Sequence, residues 1–436
     1  MNNKTNIASY LRMTRILAYV VAAMLVVTMT VSRVEAASGD LDSHFGIWGF
    51  VTADLGAHEE AYAVAVQQDG HIVVGVNRTD SRDAPDFRLM RYNADGSLDT
   101  SFGHGGILQT YFLGYGGAIK SVKIDSQDRI IAAGYVYASA EFTSPMDFAV
   151  ARYTPGGLLD KTFGSQGKVL REYGGFDQIN AIALQRDGKI VAGGYNGSSF
   201  AIFRLSANGS PDMTFANGGV VPTFFYGAAS EIRAIALQSD GRIVAGGNVW
   251  DNDTTRFGLA RYNTDGTLDT TFGRGGTVTT PISGHRDSLK ALLIRLVPFV
   301  GEQIIAVGRF LDQDDSGYFV MACYLSDGSL NQAYGAGGMV LKAFAEGGVD
   351  SECAVRQPDG KIIVAGCRLS KFGLTRYNSN GTLDTSFGND GVVVSDTGDR
   401  VLALALTPQA GIIAAGTRYF VNGVHNQDTV IAKYLP

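Results

Sequence analysis

From about residue 50 onward the chain alternates between short apolar runs and tight polar clusters. One stretch shows the whole pattern: "GGVVPT" (218–223), "AIALQ" (234–238), "RIVAGG" (242–247) and "RFGLARYN" (256–263). Each run has the length of a strand, and the clusters between them are rich in Gly, Asp, Asn and Ser. Runs this short, bounded by turn residues, predict β-strands. No long helical period interrupts them. A composition of 56 Gly against 10 Pro fits many tight turns.

The four runs recur with their spacing. Aligned on the aromatic of "LDTTFG", seven copies appear, at Phe45, Phe102, Phe163, Phe215, Phe272, Tyr334 and Phe387, 52 to 62 residues apart. Asp-Gly stands between the second and third runs at Asp69-Gly70, Asp187-Gly188, Asp240-Gly241 and Asp359-Gly360. Between β-prone segments that pair predicts a hairpin, because Gly accepts the positive φ of a tight turn. The small residues of "IVAGG" predict a close approach by another backbone or sheet. The Leu and Phe of the signature loop are expected to bury themselves between neighbouring units.

Seven four-stranded units predict an all-β fold, a seven-bladed β-propeller of four-stranded antiparallel blades. A linear solenoid is the alternative, and a solenoid needs capped ends. Here "KYLP" (433–436) followed by "SGDLDSHFG" (38–46) rebuilds the phrase "RYNADGSLDTSFG" (91–103). That split predicts a ring closed by its first and last segments. Six units carry a cation in the last strand (Arg91, Arg152, Arg204, Arg261, Arg376, Lys433), and the loops that follow carry Asp99, Asp160, Asp212, Asp269 and Asp384. These groups are expected to pair across each loop, with Lys433 meeting Asp42 at the closure. The fifth unit has Cys323 and Asn331 instead, losing cation and acid together.

Residues 1–36 read differently. Lys4, Arg12 and Arg15 precede the uncharged apolar run "ILAYVVAAMLVVTMTV" (16–31), and "VEA" (34–36) offers small residues for cleavage. This pattern predicts a signal peptide at 1–36, a single propeller at 37–436 and an exported protein: periplasmic, cell-surface or extracellular. An uncleaved anchor is the competing reading, since the run is close to the shortest spanning length. After cleavage no membrane span is expected. Removing 1–36 takes the net charge from −6 to −9, which argues against nucleic acid or an anionic membrane as partner.

The signature loops, "FGLARYN" and the period of about 57 residues resemble the delta-60 repeat family of secreted bacterial proteins. The resemblance covers essentially all of 37–436. It implies a seven-bladed propeller and export, and it carries no established catalytic residues. The fifth unit departs most, with Leu296-Val297-Pro298-Phe299-Val300 in place of the polar hairpin.

In an antiparallel blade successive loops fall at alternate ends. Asp-Gly hairpins and signature loops therefore share one regular face, and the other two loop sets share a variable one. Binding residues concentrate on loops held by a rigid scaffold. The variable face carries aromatics and acids, Tyr135, Tyr137, Trp250, Asp251, Asp253, Phe310, Tyr419 and Phe420, that suit a glycan or a surface protein. The expected function is an exported, non-enzymatic binding scaffold, more in keeping with the repeats than an enzyme is. A propeller-type polysaccharide hydrolase or lyase, using Asp251, Asp253, His58 and Glu59, is the alternative, as is a purely structural envelope role. No cofactor is expected. "DQDDSG" (312–317) has the opening of a calcium loop, with Asp312, Asp314 and Ser316 as candidate ligands, but Cys323 stands where the closing Glu belongs. A solvated acidic turn is the preferred reading there. Cys323, Cys353 and Cys367 lack zinc spacing, and regular register puts Cys353 opposite Gly366, so a Cys353–Cys367 disulfide would need a bulge or a diagonal link. The six histidines form no triad-like cluster.

Overall fold

The computed structural model describes residues 37–436 except 57, 79–86, 114, 140–144, 173–176, 217–218, 252–253, 284, 312–316, 344–348 and 422–423. The signal-peptide expectation lies outside these residues. Ser38–Pro436 forms one compact unit of 28 strands.

Antiparallel pairing sorts the strands into seven four-stranded blades. In the first blade Glu59–Val66, Ile72–Arg78, Phe87–Tyr92 and Ile107–Thr110 pair in that order, and the next five blades repeat the arrangement. Blades 4 and 5 are also joined by one parallel pair, Thr255↔Arg286. The seventh blade takes three strands from the C-terminal end, Arg400–Leu406, Ile412–Val421 and Val424–Tyr434. Its fourth, Phe50–Ala53, comes from the N-terminal side, with Phe50 opposite Ala432. The ring is therefore closed by the split phrase, as the sequence predicts.

The first strand of each blade is the innermost. Glu59–Val66, Gly117–Ile124, Asp177–Leu184, Ala229–Leu237, Arg286–Val297, Val349–Arg356 and Arg400–Leu406 each contact the next, and the last contacts the first. The second and third strands are covered on both faces by neighbouring blades, which explains why their apolar positions do not alternate with exposed ones. Ile72–Arg78 and Phe87–Tyr92, for example, are buried almost throughout. Seven apolar clusters follow, one at each seam between blades. Stability thus depends on blade-to-blade contact, and no single blade has a core of its own.

Five of the recurring pairs form as expected: Arg91–Asp99 (2.6 Å), Arg152–Asp160 (2.9 Å), Arg204–Asp212 (2.8 Å), Arg261–Asp269 (2.8 Å) and Arg376–Asp384 (2.7 Å). Each guanidinium also lies about 4.5 Å over the buried signature Phe of its own loop, as Arg261 does over Phe272. Four of the five reach the following blade too, as Arg204 Nη1 donates to Thr264 O and Arg261 Nη1 to Ser326 O, both at 2.6 Å, whereas Arg376 donates to Ser386 Oγ of its own loop at 3.3 Å. In those four, one residue joins loop, aromatic plug and next blade. The acids gain second cations from just beyond the hairpin turn, Lys189 at 3.1 Å from Asp212 and Lys361 at 3.0 Å from Asp384.

The fifth blade solves the same problem differently. Cys323 and Asn331 face each other at 3.9 Å. Arg295, on the inner strand, lies 5.7 Å over the Tyr334 ring and donates from Nη1 to Ser379 O of blade 6. The cation has moved from the third strand to the first. The Leu296–Val300 segment is the tip of a lengthened hairpin, Val297 paired with Gly301 and Phe299 fully exposed.

Every inner strand carries a β-bulge at the same place, where one extra residue interrupts the register. The bulge drives a carbonyl toward the second strand, and in six blades a glycine stands opposite, whereas blade 1 has Val76 there. A Cβ on Gly194 would lie 1.8 Å from Gln178 O, and one on Gly247 1.9 Å from Glu231 O. The second Gly of "IVAGG" answers to this carbonyl of its own blade. The bulge in blade 6 also shifts the cysteines: Ser351 opposes Gly366 and Cys353 opposes Ala365, so the expected Cys353–Gly366 register does not form. All three thiols are free.

Candidate functional site

The seven bulged residues are Tyr62, Lys120, Asn180, Arg233, Lys290, Glu352 and Leu402, and all seven line one cavity of about 310 Å³ in the central channel. The bulge explains why. An extra residue cannot enter the ladder, so its side chain is turned away from the sheet, and on the innermost strand that direction is the axis. Flanking positions hold the apolar residues that pack between blades: Ala63 and Val64, Ala181 and Ile182, Ala403 and Leu404. The seven blades repeat one another around the channel but differ at this ring.

The ring's charges are only partly matched. Lys290 Nζ lies 2.7 Å from Glu352 Oε2 across the seam of blades 5 and 6. Arg233 Nη2 lies 2.5 Å from Glu231 Oε1 on its own strand. Asn180 Nδ2 donates to Ile232 O in the next blade at 2.8 Å. Lys120 has no carboxylate within ion-pair distance among the described residues. Its ammonium lies 4.1 Å over the Tyr62 ring and 5.8 Å from the ring centre of Tyr135. Burial and the nearby Arg233 charge push its pKa down to about 8, against the pull of Glu60 and Glu231. Desolvation within the channel likewise lowers Lys123, which also lines the cavity.

The two faces separate as expected. On the regular face Gln67 Nε2, beside a hairpin turn, donates to Pro155 O in the next blade's signature turn at 3.3 Å. On the variable face Thr255 N donates to His285 O and Phe372 N to Gly398 O, both at 2.7 Å, tying the two loop sets together.

The sequence candidates are distributed around that variable face. Tyr135 and Tyr137 meet edge to face at 5.5 Å, and Tyr135 borders the Lys120 cluster. Trp250 is half-buried at the end of its strand, and Asp251 is paired with Arg256 at 2.8 Å. Phe310 is buried and stacks on Tyr318 at 4.8 Å. Tyr419 is exposed, its hydroxyl accepting from Gln427 Nε2 at 3.2 Å. Asp253, the side chain of Phe420, and the calcium-loop candidates Asp312, Asp314 and Ser316 lie outside the described residues. His58 and Glu59 begin blade 1, whereas Asp251 belongs to blade 4, where its carboxylate is paired with Arg256. Further aromatics stand exposed on this face: Tyr111, Tyr115, Phe224 and Tyr226.

The sequence reading missed the channel ring. Its signal is a single polar or bulky residue before "AIAL" and its equivalents, a place that alternation alone assigns to an ordinary solvent face. Among the described residues no helix is long and apolar enough to cross a membrane.

Comparison with known proteins accords with this architecture. The family model described as "Domain of unknown function (DUF5122) beta-propeller" matches residues 67–102, 185–215, 238–272, 303–333 and 357–387. No curated protein matches the sequence. Among solved structures, the polysaccharide lyase Uly1 is 11% identical, with 93% of this chain and 94% of that chain covered and a TM-score of 0.49. Virginiamycin B lyase from Staphylococcus aureus is 12% identical, with 88% and 98% covered and a TM-score of 0.46. The WD40 beta propeller domain of Doa1 is 13% identical, with 88% and 97% covered and a TM-score of 0.43. Five repeats match this family model in sequence, and the seven blades close in space as a β-propeller repeat protein.

Proposed function

We propose that the protein is an exported, non-enzymatic binding scaffold that holds an acidic glycan at the central channel and the variable face around it. The observation that carries this reading is the ring itself. Seven equivalent positions hold seven side chains that include three cations and one carboxylate, whereas positions that maintain the blade repeat. A residue needed for the fold recurs in every unit, and one needed for a ligand does not have to.

The chemistry selects the ligand class. Lys120, Arg233 and Lys290 offer positive charge, Asn180 an amide and Tyr62 an aromatic face, which together suit a sugar ring bearing a carboxylate. The cavity has the volume of a small-ligand site. Exposed Tyr111, Tyr115, Phe224, Tyr226 and Tyr419 offer stacking surfaces for a longer chain. The recurring Asp residues of the signature loops take no part, being held in ion pairs on the opposite face.

Calorimetric titration with tetragalacturonate, and with maltotetraose as the neutral control, tests the proposal. Binding of the acidic sugar alone is expected, weakened at least tenfold by Lys120→Gln. Equal binding of both sugars, binding of neither, or an unaffected Lys120→Gln variant would overturn it.

A further inference from the structure

We propose that Asp54, Glu59 and Asp428 bind a divalent cation, calcium by the chemistry of their donors, at the seam where the ring closes. One carboxylate oxygen from each lies within 4.8 Å of the others. Calcium sits about 2.4 Å from its oxygen ligands, so two ligands of one ion stand at most about twice that apart. The trio already meets this spacing.

Two of the three are in the interior. Glu59 is 0% and Asp428 2% exposed, and Asp428 Oδ1 has no hydrogen-bond partner. A buried carboxylate oxygen left in this state is costly unless something positive takes it. Strand register makes the cost plain. Ala53 pairs with Thr429, so the next residues along, Asp54 and Asp428, oppose each other across the antiparallel pair. Like charges in that position repel. Burial and the Asp54 charge raise the Asp428 carboxyl, and the guanidinium of Arg418 offsets them only in part.

Gly56 N donates to Asp54 Oδ1 at 2.7 Å and Leu55 N to Glu59 Oε2 at 3.4 Å. These contacts fix the two side chains beside the unpartnered Asp428 Oδ1. Carboxylate oxygens alone, with no His or Cys, suit a hard cation and not zinc or copper. The ion would bridge the outer and third strands of blade 7 and the inner strand of blade 1, which come from opposite ends of the chain. It would therefore act on the closure itself.

The test is calorimetric titration of the purified, EDTA-treated chain with CaCl2, followed by thermal melting with and without the ion. A saturable site and a higher melting temperature in calcium are expected. Asp428→Asn should weaken binding at least tenfold. Asp54→Asn, at an exposed position that the fold does not require, should do the same and covers the case of a Asp428→Asn chain that fails to fold. No heat and no melting shift with calcium, magnesium or manganese would overturn the proposal. So would a calcium response unchanged in both variants, which would mean that the acids share a proton and that any ion binds elsewhere.

Discussion

Lys433 Nζ lies 3.0 Å from Asp42 Oδ2, joining residues almost 400 positions apart in the chain. The backbone pairs beside them: Asp42 N donates to Lys433 O at 2.8 Å and Leu435 N to Asp40 O at 2.8 Å. This is the ion pair of every regular blade, assembled here from both ends. Burial works to raise the Asp42 carboxyl, but Lys433 and the amide of His44 outweigh it and the pKa is lowered. The stabilisation is thus present above the unfolded carboxylate pKa of about 3.9, and is lost as pH falls through the lower folded value. Asp42→Asn is expected to cost about 1 kcal/mol near neutral pH, with the deficit vanishing in acid. Urea unfolding at pH 7 and at pH 3 checks this, and a deficit that is the same at both would argue against the pair.

Arg295 and Cys323 make a reciprocal exchange that predicts non-additive mutants. Restoring Arg at 323 alone would place a second guanidinium beside Arg295 and the Tyr334 ring, with Asn331 unable to neutralise it. Cys323→Arg is expected to destabilise by about 2 kcal/mol or more. The triple change Cys323→Arg, Asn331→Asp, Arg295→Gln rebuilds the arrangement of the other blades and should recover most of that loss. Thermal melting of the single and triple variants checks the coupling. Equal destabilisation in both would show that Arg295 is not the substitute.

Much of the fold was legible because the same constraint is written seven times. Turn residues, strand length and the Arg–Asp pairs each recur at fixed spacing, so one unit's accident could be told from the rule. The closure was readable for the same reason, since Asp42 and Lys433 complete a phrase seen intact elsewhere. The channel ring was not readable in this way. Tyr62, Lys120 and Asn180 differ from each other, and a residue between two apolar neighbours looks like any solvent-facing strand position. Only the bulge and the knowledge of which strand is innermost turn them toward one another. The carboxylate cluster was hidden by distance in the chain: Asp54 and Asp428 become neighbours only when the ring closes. Arg295 was missed because its role belongs to a different strand in the other blades.

Six of the seven bulges have a glycine opposite them and blade 1 has Val76, so the demand for glycine is set blade by blade, by how closely the carbonyl approaches. At Gly247 a Cβ would lie 1.9 Å from Glu231 O and 2.9 Å from Arg233 N, both backbone atoms that cannot turn aside. Gly247→Ala is expected to cost about 3 kcal/mol. By contrast, a Cβ at Gly105, on an exposed turn, meets nothing within 4 Å. Its positive φ of 61° leaves only the backbone penalty of about 1 kcal/mol for Gly105→Ala. Comparing the two variants by chemical denaturation separates steric exclusion at the bulge from a general intolerance of Gly→Ala. A smaller loss at Gly247 than at Gly105 would contradict the bulge geometry.

Lys120 gives the channel a titration that can be followed directly. With a folded pKa of about 8 against an unfolded value of about 10.4, the folded chain binds fewer protons than the unfolded one between those values. Stability contributed by this group therefore rises with pH across that window, because the unfavourable buried charge is released first in the folded state. Lys120→Met should remove the rise and raise the melting temperature near pH 7, where the wild-type ammonium is still mostly charged. Reductive ¹³C-methylation and NMR titration of the folded protein check the pKa itself, with the channel lysines Lys120, Lys123 and Lys290 expected to move before the exposed ones and the Lys120 signal identified by its loss in Lys120→Met. An anion seated in the ring would favour the protonated form, so tetragalacturonate should shift that titration upward. The same ligand leaving the Lys120 resonance where it was would place the binding site away from the channel.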